Sequence, residues 1–221
     1  MRVFICANAV GGHMELFMRQ LTHAGVPVVW GAKPGEFSWQ KRLEWFRDAL
    51  RNHSNQEEKV VLSDGWDVVF QGTSAAEVEE KVPDCGVLIA GEKNCWPDAD
   101  QQIFYPMGPT PWMFVNAGGI AGRVKHILEW LEHGFNCARS RPELLLDDQR
   151  FWTACYLYWG FPEAVDYQCS LFQTMFLAAS SDLTVRNQKL INARTNQMPL
   201  FLHWNGGSNW PDSALRTLGM C

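Results

Sequence analysis

Apolar residues in this chain alternate between short β-branched runs and longer stretches with helical spacing. Val3 to Ala7 is the first run and predicts a strand. A loop with Gly11-Gly12 follows. Met14 to Ala24 then sets Leu16, Phe17 and Leu21 at helical intervals, with Gly25 placed where a helix ends. Pro27 to Trp30 predicts a second short strand. A strand, loop, helix and strand in that order open a doubly wound α/β sheet. Ser38 is suited to cap a helix running to about Asn52, with Leu43, Phe46, Ala49 and Leu50 inward. Lys41 and Arg42, in its first turns, read either as solvated charges or as a cation aimed at phosphate.

The most informative run is Val60-Val61-Leu62-Ser63-Asp64-Gly65-Trp66-Asp67-Val68-Val69-Phe70. Its start suits a buried strand of a parallel sheet, and open α/β sheets bind ligands at the carboxyl ends of such strands. Asp64 and Asp67 therefore lie where such a fold places its chemistry, at a spacing that lets both reach one hard divalent cation. The same Asp-Gly pair is also an ordinary turn. Beyond it, Ser74-x-x-Glu77 fits a capping box, and Gly86 to Ala90 reads as a strand. The segment from Gly91 through Cys95-Trp96-Pro97-Asp98 to Trp112 is long for a plain connection. The glycines of Phe114 to Gly122 either admit a ligand close to the backbone or mark a bulge or turn at a strand edge. Arg123 to Phe135 is an amphipathic helix, and a second begins after Leu144 and ends near Gly160. Asp147-Asp148 suits the start of that second helix, where the macrodipole favours carboxylates. Val165 to Phe176 and Leu183 to Ala193 read as strands, and Pro199 to His203 is a strand ending at a glycine turn.

Composition narrows the class. Apolar residues make up 47% and charged residues 19% of 221, enough for a sizeable core and against disorder. Eleven tryptophans are many, and Trp66, Trp96, Trp112, Trp204 and Trp210 lie beside Gly, Pro, Asp or Asn, as loop aromatics do. A net charge of −5 argues against non-specific binding to duplex DNA. Seven scattered cysteines form neither a C-x-x-C pair nor a zinc spacing, which predicts mostly reduced thiols. No apolar run approaches the ~20 residues of a membrane helix, and no targeting segment precedes the first strand. The expectation is a cytoplasmic protein with no membrane partner; the oligomeric state is not legible.

In order, D-G-W-D-V-V-F, C-W-P-D, N-A-G-G-I-A-G, L-D-D-Q-R-F-W and H-W-N-G resemble the glycosyltransferase domain of procollagen lysyl hydroxylases and their collagen-glucosyltransferase relatives. The similarity runs from the first strand to Gly206. It implies one glycosyltransferase domain over 1–221, with a GT-A-like, Rossmann-type α/β fold: a mostly parallel central sheet flanked by helices. It also implies transfer of a hexose, glucose or galactose, from a UDP-sugar to an acceptor hydroxyl, with Mn²⁺ as cofactor and Mg²⁺ as the alternative. By position, Asp64, Asp67 and His203 would hold the metal. Trp66 would stack on uracil, and Trp96, Asn116 and Gln149 would line the donor site. Asn205 and Gly206 would approach the diphosphate, and Asp148, then Asp147, would act at the sugar. The chain departs from the family in three places. Its acidic run before Gln149 is short, Ala117 stands where relatives have Ser, and Gly207-Ser208-Asn209 replaces a segment with lysine. Lys41 is the expected substitute cation. The acceptor implied is a hydroxylated protein side chain, or a hydroxymethylated base presented unstacked. A catalytically silent module that binds UDP-sugar or glycan is the alternative; a two-metal phosphohydrolase would need more clustered ligands.

Overall fold

A computed structural model describes residues 1–11, 13–159 and 164–208. The first six-stranded sheet is built from β1 (Arg2–Cys6), β2 (Val28–Gly31), β3 (Lys59–Ser63), β5 (Val87–Glu92), β6 (Phe114–Arg123) and β7 (Val165–Asp166), in the order β2-β1-β3-β6-β5-β7. Only β6 runs against its neighbours; the other pairings are parallel, as expected for a mostly parallel sheet. A three-stranded sheet adjoins it, with β11 (Phe201–His203) between β4 (Val68–Phe70) and β8 (Phe172–Thr174). β9 (Leu183–Arg186) and β10 (Lys189–Asn192) form a hairpin. Its two-residue turn, Asn187-Gln188, has positive φ at both positions, the geometry that matches strand twist.

The central strands are apolar on both faces because helices cover both. Val3 and Ile5 of β1 point into a cluster with Phe17 and Leu21 of α1 (His13–His23). Phe4, between them, points the other way, toward Leu43, Phe46 and Leu50 of α2 (Trp39–Arg51). β3 alternates likewise, with Val60 and Leu62 on the α2 side and Val61 on the α1 side. Each such fully buried side chain contributes about 1.5–3 kcal/mol relative to exposure. Ser38 caps α2 as expected, its Oγ accepting from Lys41 N at 3.2 Å. Ser74 caps α3 (Ala75–Lys81) through Glu77 N, but the Glu77 carboxylate bonds Thr73 N and Oγ1 rather than closing the box on Ser74. α4 (Val124–Ala138) and α5 (Asp148–Trp159) complete the layer on the α2 side.

Several expectations are corrected. Phe114 to Gly122 is a central strand, not an edge, and its register shifts against β5 between Ile89 and Ala90. β5 extends two residues beyond Ala90, so Glu92 ends a strand rather than opening a loop. Trp112 and Trp204 are buried at 0% and 5% exposure, so of the expected loop aromatics among the described residues only Trp66 and Trp96 are exposed. Trp210 and Asn209 lie outside the described residues. The two late strand predictions break into β7 with β8 and β9 with β10. Among the described residues, no helix is long and apolar enough to cross a membrane.

Candidate active site

The turn carrying Asp64 and Asp67 joins the two sheets. β3 before it belongs to the six-stranded sheet, and β4 after it pairs with β11, setting Val68 directly opposite His203. Backbone bonds from Asp64 N to Gly118 O (3.0 Å) and from Trp204 N to Asp67 O (2.8 Å) fix both ends of the turn. This register brings residues 136 positions apart into contact. His203 Nε2 lies 3.2 Å from an Asp64 carboxylate oxygen and 3.2 Å from one of Asp67. The three side chains offer ligand atoms all within 4.8 Å of one another. Cis donors at about 2.1 Å from an octahedral ion stand roughly 3 Å apart, so the set fits a divalent ion.

Asn116 Oδ1 lies 3.1 Å from His203 Nδ1, so that nitrogen donates and Nε2 faces the carboxylates. Burial disfavours the imidazolium, yet Asp67 and Asp64 outweigh it and raise the His203 pKa to about 10. Gly118 packs against this assembly, and a Cβ there would overlap both the His203 ring and the Asp64 carboxylate. The glycine thus makes room for the His203 and Asp64 side chains rather than for a bound molecule. Gly118→Ala is expected to displace His203 and so to weaken binding of a divalent ion at these three side chains at least about tenfold; calorimetric titration with MnCl₂ checks it.

The triad forms one wall of a cavity of about 700 Å³. Asp147, Asp148 and Gln149, at the start of α5, form another part of the lining. Asp147 Oδ1 accepts from Gln149 N (2.9 Å) and Arg150 N (3.1 Å), the cap that its position suggested. Asp148 is buried beside Arg42, with Nε at 3.1 Å from Oδ2. Burial, with Asp64 and Asp147 nearby, raises its pKa to about 6 despite the opposing pull of Arg42. Gln149 donates to the Glu92 carboxylate, and its Oε1 accepts from Asn116 Nδ2 and Ala117 N, each at 3.3 Å. Trp96, Asn205 and Gly206 also line the cavity. Trp66 is exposed, on the turn between the two carboxylates, and outside that lining.

Lys41 is not in the site: it is partly buried, lies outside the cavity lining and donates to Glu36 O at 2.9 Å. Arg42 lines the cavity instead, 6% exposed, paired with Asp64 and Asp148 and lying 5.4 Å from the Phe46 ring centroid. Burial opposes its charge, but the two carboxylates hold its pKa above the usual value. The Asp64 carboxyl in turn lies well below its ordinary range, because Arg42 and then His203 overcome burial. The sequence carried a signal for this: Arg42 precedes Phe46 by four residues, on the inner face of α2. Glu92 carried none. It accepts from Gln149 and from Asn205 Nδ2, and burial raises its pKa to about 7.

Asp64, Asp67 and His203, which could hold a divalent ion, share the lining of one cavity with Asp147 and Asp148 in a mostly parallel α/β fold. Comparison with known proteins places this fold among glycosyltransferases of GT-A type. A family model described as the PLOD GT domain matches residues 31–217, and the chain belongs to that family. An uncharacterized protein of Acanthamoeba polyphaga mimivirus is 34% identical over 124 residues, 56% of this chain and 25% of that protein. Procollagen-lysine,2-oxoglutarate 5-dioxygenase of Drosophila melanogaster is 27% identical over 178 residues, 75% of this chain and 24% of that one. The chain thus spans about a quarter of the length of these curated relatives. Two solved structures share the fold. Galactosyltransferase LgtC in complex with donor and acceptor sugar analogs aligns with a TM-score of 0.61 and 10% identity, over 100% of this chain and 95% of that one. A glycosyltransferase involved in glycosylation of the major capsid of PBCV-1 aligns at 0.54 and 15%, over 100% and 98%.

Proposed function

We propose that this domain transfers a hexose, glucose or galactose, from a UDP-sugar to an acceptor hydroxyl, with Mn²⁺ held by Asp64, Asp67 and His203. The observation that carries the reading is the convergence of those three side chains on a cavity that also holds Asp148. Two carboxylates and an imidazole suit Mn²⁺ better than Ca²⁺, which prefers oxygen donors throughout. The ion, when bound, neutralises the charge that builds on a departing diphosphate. The chain's own residues supply the rest. Asn205 and Gly206 border the diphosphate, and Trp96 offers an aromatic face to the donor. Trp66 is free to meet the uracil from its exposed position on the turn. Asp148 has a pKa of about 6, a range from which a carboxylate takes a proton from an acceptor hydroxyl at neutral pH. Asp147 holds the helix start that presents Asp148.

The test is UDP release from UDP-glucose and UDP-galactose, with and without MnCl₂. Wild type is expected to release UDP only with the metal, and Asp64→Ala combined with Asp67→Ala to lose at least about 99% of it. Full activity in that double variant would remove the metal from the reading. A labelled donor offered with a hydroxylysine peptide, or with a single-stranded oligonucleotide carrying hydroxymethylcytosine, identifies the acceptor class. Mn²⁺-dependent UDP binding without turnover on any of them would mark a silent binding module instead.

A further inference from the structure

The turn after β8 holds an aliphatic side chain in a backbone conformation that aliphatic residues avoid. Leu177 has φ +58°. The left-handed region places Cβ against the following carbonyl, which is why turns with this geometry carry Gly or Asn there. Asn187 and Asn196, also at positive φ, obey that preference; of the two others that do not, Gln188 shares the tight hairpin turn with Asn187 and Cys169 is fully buried. Leu177 does not, and packing does not explain it, because 59% of its surface is exposed. The turn around it is fixed from three sides. Ala178 N bonds Met175 O (3.0 Å), Met175 N bonds His203 O (2.9 Å), and Phe176 N bonds Asn205 Oδ1 (3.1 Å). The Phe176 ring lies against Gly206, where a Cβ would come within 2.9 Å of it.

A strained residue that the surrounding structure over-determines, and whose side chain the fold does not bury, points to work done on a ligand. Leu177 lines the cavity, in a turn fixed to His203 and Asn205. It offers no polar atom to a diphosphate; it offers apolar surface beside one. We propose that Leu177 lies against the donor's sugar–phosphate linkage and keeps water from it, an inference that rests on the UDP-sugar reading above. Excluding water there strengthens every electrostatic contact to the leaving group and suppresses hydrolysis of the donor. In that side reaction a water oxygen bonds the anomeric carbon. The bond from that carbon to the phosphate oxygen breaks with its electron pair going to UDP, and the water proton passes to solvent.

The experiment compares wild type with Leu177→Asn and Leu177→Met. It measures UDP release from UDP-glucose and from UDP-galactose with Mn²⁺ and no acceptor, Mn²⁺-dependent UDP affinity by calorimetry, and Tm. The Asn variant tolerates the left-handed region but lacks the apolar surface. It is expected to hydrolyse donor about tenfold faster than wild type, with UDP affinity unchanged and Tm raised by about 2 °C. The Met variant restores slow hydrolysis. Hydrolysis in the Asn variant at or below the wild-type rate overturns the inference, as does equal leakage from the Met variant. A lowered Tm in the Asn variant overturns it as well, by making Leu177 a packing residue. Wild type that binds no UDP with Mn²⁺ fails the donor reading and takes this inference with it. Wild type that binds UDP while the variants leave hydrolysis unmoved fails the Leu177 inference alone.

Discussion

His203→Ala is expected to lower Mn²⁺-dependent UDP release by at least about 100-fold, since the variant removes one of the three proposed protein ligands and the only nitrogen among them. The same residue predicts how metal binding depends on pH. Without metal, Asp67 and Asp64 keep His203 charged to about pH 10, so an ion that takes Nε2 must expel a proton at pH 7. Apparent Mn²⁺ affinity should therefore rise about tenfold per pH unit from 6 to 8, with roughly one proton released in calorimetry run in two buffers of different ionisation heat. The stability of the metal-free protein should move the other way. The folded pKa of about 10 exceeds the ordinary histidine value near 6.5, so the imidazolium's contribution is complete below about 6.5 and is lost as pH climbs toward 10. The gain in Tm on adding MnCl₂ thus grows from pH 6 to pH 8. Metal affinity flat across that range would show that no proton is displaced and that His203 is not a ligand.

Most of the frame was legible because it rests on periodicity. The β-branched runs at Val3 and Val60, the Ser38 and Ser74 caps and the Gly25 terminus each follow from local preference, and each stands where expected to within a residue or two. What local preference does not encode is pairing between distant strands. That β11 lies between β4 and β8, with His203 opposite Val68, is a fact of topology; the residues were named in advance by resemblance, not by spacing. Lys41 and Arg42 show the opposite failure. Adjacent residues on a helix point about 100° apart, and the apolar period containing Phe46 and Leu50 already assigned the inward direction to Arg42. Glu92 and Leu177 were beyond reach: one depends on where β5 stops, the other on a backbone angle.

Arg42→Met should cost the fold about 3–5 kcal/mol, a fall in Tm of about 10 °C. Methionine restores the stem but leaves Asp148 buried without its cation and the partly buried Asp64 with His203 alone, and an uncompensated buried charge costs far more than a surface pair returns. Arg42→Lys should recover little, because one ammonium does not reproduce a planar fork that meets carboxylates on two sides. The loss should also depend on pH. Asp148 already titrates near 6, raised by burial against the pull of Arg42; removing that pull raises it further, so the variant suffers less at pH 5, where the carboxyl is protonated, than at pH 8. Pairing Arg42→Met with Asp148→Asn should return part of the stability, a coupling that a double-mutant cycle reads directly. Added Mn²⁺ should return another part by compensating Asp64. A change in Tm under about 2 °C for Arg42→Met, at pH 8 and without metal, would mean that solvent already reaches these carboxylates. The pairing would then be incidental to a site whose charges balance without it.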